Sequence, residues 1–443
     1  MTPQSQSIQL LTILVLGVPV HAQEEPADQR GIATQLLQTA DEIMGEVAEL
    51  RGWPYKHAVD KGVHSDTELR AFLKKKLLEE ELGGGRLEQH QWMLSDLGFL
   101  PKGMDLADTI LDVLLSQVGG FYDPEQNSFF MMEQAANYGD FLNRTMIAHE
   151  LTHALDDQYF DLDALMKARE DEEDAGFAIG AVVEGSATAL MTRWAAGHRD
   201  LMDPEEMKAM LQQQEEQNRI LVEAPLYFAT LVARYTVGMS FLLKGDSIAS
   251  LMAMHDGVAE NLRAVMKDVP VSSEQILHPN KYWDPSELDL PVRVVDEEAL
   301  TTRLATELQA DLVAKDTLGE LLCAILSRNP DKKLNSQLMM APSYWTSKGS
   351  RGWGGDRVYM FKRAKDRGIV WCTWWDSEKD CAEFRTAYRR YYEKRIQYRA
   401  ATSGRLAVFT YGSARSHVDR ILEICATAAT TKGDQAFKLT DQD

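Results

Sequence analysis

The pentapeptide His149-Glu150-Leu151-Thr152-His153 sets two imidazoles four residues apart with a carboxylate between them. On a helix of about 3.6 residues per turn, positions i and i+4 project from one face, so both rings can reach a single metal ion. Glu150, one residue round from His149, then stands beside the ion rather than on it, where it can take a proton from water. Imidazole nitrogens suit zinc, and a catalytic zinc uses three protein ligands and keeps a fourth position open. The alternative is a pair of ordinary polar helix positions, but the chain has only 10 histidines in 443 residues. The pentapeptide therefore asks for a third ligand.

The elements around it are readable. Met146, Ile147, Leu151, Ala154 and Leu155 recur at helical spacing, and Asn143 is the expected N-cap. A second helix is expected over 177–194, where Ala178, Ile179, Ala181, Val182, Val183, Ala187, Ala189 and Leu190 make it apolar almost all round. Glu184 stands among them. A surface glutamate is the bland alternative, but such a helix is a core helix, and a buried carboxylate needs a partner, for which a metal serves. Gly185-Ser186-Ala187 beside it is expected to let this helix approach the first closely.

Taken together, His149-Glu150-Leu151-Thr152-His153 and Glu184-Gly185-Ser186-Ala187 resemble the gluzincin group of zinc metallopeptidases. The resemblance implies that His149, His153 and Glu184 bind zinc and that Glu150 activates water. The metzincin arrangement is excluded, because Asp156 and Tyr159 occupy the places of its glycine and third histidine. The interval from His153 to Glu184 is longer than in thermolysin-like or aminopeptidase-N-like members, and the acidic run through Asp174 is expected to fill it as a surface insertion. Thr188 stands where thermolysin-like enzymes carry a histidine-orienting aspartate, so Asp157 is the substitute candidate, with an ordinary helix-end aspartate as the alternative. Tyr235 with Gly238 resembles the tyrosine-x-x-glycine signature of aminopeptidase-N-like gluzincins, which implies an oxyanion donor; a core tyrosine is the alternative, and His278 is the rival donor. The resemblance also places 127–132 as an edge strand for an extended substrate, an internal hairpin being equally compatible. Gly120-Phe121-Tyr122-Asp123-Pro124, Ile276-Leu277-His278-Pro279 and Gly352-Trp353-Gly354-Gly355-Asp356-Arg357 further resemble uncharacterised exported bacterial proteins with predicted metallopeptidase sites.

Residues 1–22 carry no charge, hold an apolar run from Ile8 to Val20, and end in Val20-His21-Ala22, the pattern of a cleaved secretory signal. A disordered tail is the alternative. That run is too short to span a bilayer comfortably, and no integral span is expected after its removal. A formal net charge of −21 argues against nucleic acid or an anionic membrane as partner. The runs Glu79-Glu80-Glu81 and Glu170-Asp171-Glu172-Glu173-Asp174 read as solvated faces. Four cysteines, Cys323, Cys372, Cys381 and Cys425, permit disulfides that spacing cannot assign, Cys372–Cys381 among them.

The length favours two domains. Helices are expected over 33–49, 66–82 and 106–115, a strand-turn-strand over 118–132, a further apolar helix over 226–254, and a loop-rich stretch over 270–291. Beyond it the pattern changes: a helix at 317–326, a tight glycine turn at 349–357, strands at 358–362, 368–375 and 406–410, and helices at 378–395 and 414–426. The fold class expected is therefore α+β and predominantly helical. It divides into a signal at 1–22, a helical zincin-like catalytic region with a small edge hairpin at 23–300, and a C-terminal α+β domain at 301–443. The functional expectation is an exported, secreted or periplasmic zinc peptidase acting on peptides or proteins. A zinc-stabilised scaffold and a zinc hydrolase of non-peptide substrates are the alternatives.

Overall fold

Two apolar helices cross backbone against backbone at the centre of the chain, and the remaining elements pack outward from them. The computed structural model describes residues 29–168, 172–201, 203, 208, 223–245, 257–332, 335–339 and 341–432. The expected signal at 1–22, the acids Glu170 and Asp171, and the part of the 226–254 helix beyond 245 lie outside them.

The N-terminal half is helical: α1 (Gln29–Leu36), α2 (Ala40–Arg51), α3 (Asp66–Leu73), α4 (Arg86–Leu97) and α5 (Leu106–Gln117) precede α6 (Asp140–Phe160), α7 (Leu162–Lys167), α8 (Glu173–Gly197) and α9 (Ala229–Leu242). Interleaved with them, β1 (Asp60–His64), β2 (Gly120–Asp123) and β3 (Ser128–Met132) form a small sheet in the order β1-β3-β2. The β2–β3 hairpin is antiparallel, with Phe121 opposite Phe130, while β1 runs parallel to β3, with Gly62 opposite Phe130. Of the two readings of 127–132, an edge strand or an internal hairpin, the structure has the second, with β3 central. Its second edge is taken by β1, whose polar sequence Asp60-Lys61-Gly62-Val63-His64 has no apolar alternation to betray a strand.

Downstream come α10 (Val258–Lys267), α11 (Ser273–Leu277), β4 (Val292–Val294), α12 (Glu297–Leu308), β5 (Asp311–Asp316) and α13 (Gly319–Leu326). The stretch expected to be loop-rich holds α11 and a helical turn, Asn280–Trp283. Then β6 (Trp353–Arg363), β7 (Asp366–Trp375), α14 (Glu378–Tyr392), β8 (Tyr398–Ser403), β9 (Leu406–Gly412), α15 (Val418–Ala426) and β10 (Thr430–Lys432) follow. The five-stranded sheet β5-β6-β7-β9-β8 is antiparallel throughout. Of the segment expected as a turn at 349–357, only the part through Gly352 is one; Trp353–Arg357 already belongs to β6, where Asp356 ties strand to helix. That carboxylate accepts from the backbone amides of Leu318 and Gly319 and from the indoles of Trp353 and Trp371, capping α13 against the sheet.

The fold is α+β and predominantly helical. One continuous core joins Trp53, Val182 and Val237 of the helical half to Trp371 and Tyr411 of the C-terminal sheet. The boundary expected at residue 300 falls inside α12, and β4, just upstream, pairs with the chain end at β10. Among the described residues one helix, α8, is long and apolar enough to cross a membrane; 89% of its apolar window is buried in the protein, the condition of a core helix.

Candidate metal centre

α6 is buried along most of its length, from Met146 to Asp156, because it lies between the small sheet and α8. Asn143 does not cap it. The helix begins three residues earlier at Asp140, and the Asn143 side chain donates to the carbonyls of Ala135 and Tyr138, tying the preceding turn to the helix. This fixes the start of the helix that carries His149 and His153.

α8 lies against α6 on one side and α9 on the other. Gly185, expected to bring α8 close to α6, instead serves its contact with α9, which needs glycine on both helices. A methyl on Gly185 would come within 2.2 Å of the Gly238 carbonyl carbon, and one on Gly238 within 1.8 Å of the Ala181 oxygen. Both values are far inside van der Waals contact, so only hydrogen fits at the crossing. The same approach sets Tyr235 of α9 over the site: its ring is roughly parallel to that of His149, with centroids 5.9 Å apart.

Three ligand atoms converge there. Glu184 Oε2 is 3.4 Å from His149 Nε2 and 3.6 Å from His153 Nε2, and the two Nε2 atoms are 3.1 Å apart. Ligands at zinc distances on a tetrahedron are separated by roughly 3.3 Å, so the set fits one ion with small adjustments. Burial pushes the His149 imidazole down to about 4, and the neighbouring His153 adds to this, so the ring is neutral and its lone pair available. Burial alone would raise the Glu184 carboxyl, but the adjacent His149 and His153 imidazoles outweigh it and hold Glu184 down at about 2, in the anionic form a cation needs.

Glu150 is different. Its side chain is fully buried, and neither oxygen has a hydrogen-bond partner among the described residues. Burial, reinforced by the Glu184 carboxylate, pushes its carboxyl well above the usual range, and the nearby Tyr122 backbone offsets this only in part. An orphan acid beside a ligand set is costly to keep and requires an explanation.

Asp157 does not orient His153. Its carboxylate instead accepts from the Tyr122 hydroxyl at 2.8 Å and from the Leu162 amide at 2.7 Å, so it links α6 to the hairpin and to α7. Neither His149 Nδ1 nor His153 Nδ1 has an acceptor among the described residues. The acid that braces the two site helices is Asp156. Its Oδ2 accepts from Arg51 at 2.9 Å and from Ser186 at 2.6 Å, and Arg51 also donates to Ser186 at 2.7 Å. Sequence reasoning missed this triad, whose only sequence trace is Asp156 and Ser186 each standing within one turn of a ligand.

His278 is engaged elsewhere: its Nε2 is 2.9 Å from Glu320 Oε2, on the buried α13. The acidic run is not a solvated insertion where it is described. Asp174 is buried and accepts from the Ser273 amide, while Glu172 pairs with Arg293 and Arg357. Cys372 faces Cys425 across 3.2 Å rather than Cys381, and all four cysteines are buried free thiols.

Comparison with known proteins reaches the C-terminal region alone. No match is found among curated proteins or among solved structures. Residues 306–422, which run from the end of α12 into α15, match the model of a domain of unknown function (DUF8575), a segment separate in sequence from His149, His153 and Glu184.

Proposed function

We propose that the protein is an exported zinc-dependent peptidase of the gluzincin type. The observation that carries this reading is the orphan Glu150 carboxyl beside three converging ligand atoms. A purely structural ion has no use for such a group, whereas water-activating hydrolysis requires a base next to the metal. His149, His153 and Glu184 would hold the zinc, which when bound acidifies water and polarises a carbonyl. Glu150, with both oxygens free of partners, takes the proton from the attacking water and passes it to the leaving amine. Tyr235, set beside His149, donates to the oxyanion; the His278 ring, held by Glu320, is the less suitable donor. The uncharged, apolar segment before Gln23 supports export, and the net charge of −21 fits a peptide or protein substrate better than a nucleic acid.

A second reading, a zinc-stabilised scaffold without turnover, draws on the coverage of the site. His149, Glu150, His153 and Glu184 are each 4% exposed or less, so substrate reaches them only when covering chain moves aside. The two readings separate on Glu150→Gln. A peptidase loses cleavage of a mixed peptide library, read by mass spectrometry, while keeping the zinc at this centre. Zinc-loaded wild-type protein that cleaves no member of the library selects the scaffold.

A further inference from the structure

A second ligand set lies at the other end of α8, about three helical turns from Glu184. His90 of α4, Glu173 at the first residue of α8 and Asp316 at the end of β5 bring one ligand atom each within 4.8 Å of one another. His90 and Asp316 are 0% and 1% exposed, and the Glu173 side chain is 12% exposed. His90 Nε2 is 3.9 Å from Glu173 Oε2 and 3.1 Å from the Tyr227 hydroxyl, which donates to Glu173 Oε1 at 2.9 Å. Asp316 Oδ1 accepts from the amides of Glu173 and Thr317. The remaining oxygens, Asp316 Oδ2 and Glu173 Oε2, have no hydrogen-bond partner among the described residues.

Two orphan carboxylate oxygens in one largely buried cluster cost about 1–3 kcal/mol each when nothing answers them. Neither nearby guanidinium bonds to them: Arg357 is committed to Glu297, Glu172 and Thr317, and Arg234 acts on Glu173 through its charge without a hydrogen bond among the described residues. A dication answers both oxygens at once. The separations exceed those of a closed tetrahedron and suit a wider coordination shell, with the Tyr227 hydroxyl within reach as a further donor. One imidazole with carboxylates excludes the all-oxygen shells of calcium and magnesium and suits a transition-metal dication, Zn2+ or Mn2+.

We infer that His90, Glu173 and Asp316 form a second, structural site for a divalent transition-metal ion, distinct from the centre at His149. It pins three layers together: the N-terminal helices through α4, the core helix α8, and the C-terminal sheet through β5. Since α8 also carries Glu184, the ion fixes the far end of the helix on which the first centre depends.

The experiment counts metal in the full chain after dialysis against Zn2+ or Mn2+ and desalting. The His149→Ala/His153→Ala variant is expected to keep one equivalent, and adding the near-isosteric Asp316→Asn to remove it. A chelator should lower the melting temperature of the first variant and leave the second unmoved. No metal in the His149→Ala/His153→Ala variant, or an unchanged count on adding Asp316→Asn, overturns the inference. The peptidase reading fails separately: wild-type protein holding one equivalent that survives His149→Ala/His153→Ala leaves this site standing and removes the other.

Discussion

Glu150 carries the sharpest consequences at the scale of single residues. In the metal-free protein burial and the Glu184 carboxylate push its carboxyl up, so its folded pKa lies above the unfolded value. The sign follows from linkage: a raised acid contributes stability below the unfolded pKa of about 4.5, and that contribution is lost as pH rises toward the folded value. Metal-free Glu150→Gln should therefore unfold at higher urea than metal-free wild type at pH 7, and by a smaller margin at pH 5. A midpoint lowered equally at both pH values would show that the carboxyl makes favourable contacts instead. Asp156 behaves oppositely, because its removal strands the buried Arg51 guanidinium. Asp156→Ala should cost about 3–5 kcal/mol in denaturant unfolding and weaken zinc binding with it. His149, Glu150, His153 and Glu184 were legible from residue types and spacing alone. Arg51 was not, because its partners lie 105 and 135 positions away and an isolated arginine has no pattern.

Among the elements, the α8–α9 crossing decides the geometry of the site. Gly185 and Gly238 meet where any methyl would strike backbone, and backbone cannot yield as a side-chain tip can. Gly238→Ala is expected to destabilise the protein by roughly 1–3 kcal/mol and to move Tyr235 away from His149. Thermal melting reads the first effect, and loss of cleavage without loss of zinc reads the second. The helices themselves were readable because apolar residues recur at their period. Strand roles were not: the 127–132 segment is central because β1, a polar five-residue strand, pairs with it from far upstream. The acidic run misled for a related reason. Charge predicts exposure, yet Asp174 and Glu172 face partners supplied by α11, β4 and β6.

Across the whole molecule, the helical half and the C-terminal sheet share one core, and charged pairs cross between its parts. Arg357 of β6 donates to Glu297 of α12 at 2.6 Å. Burial would raise the Glu297 carboxyl, but Arg357 and then Lys315 outweigh it and hold it at about 2. A depressed acid contributes stability above its unfolded pKa of about 4.5 and loses it as pH falls through the folded value. Acid unfolding should therefore steepen between about pH 4.5 and 2, and Glu297→Gln should flatten that window at a cost of up to about 3 kcal/mol near neutrality. An unchanged acid profile in the variant would place the stabilising charge elsewhere. One core crosses the boundary read from length and a change of pattern, while separate clusters around Met146 and around Tyr359 lie on either side of it; buried contacts between distant segments leave no local sequence signature.

The glycine seam bears finally on traffic. Since the candidate metal centre is covered, the proposed peptidase needs a way in for its substrate, and the seam marks where that way is not. Parting α9 from α8 would forfeit backbone contact along Ala181, Gly185, Gly238 and Met239 at once. The wall bearing Tyr235 is therefore the fixed post of the doorway, and whatever swings is hung on another side of α6. Amide hydrogen exchange tests this directly: the amides of α9 around Gly238 should be among the slowest in the chain, with faster opening in segments that cover α6 from elsewhere. Rapid exchange along α9 would make the post the door.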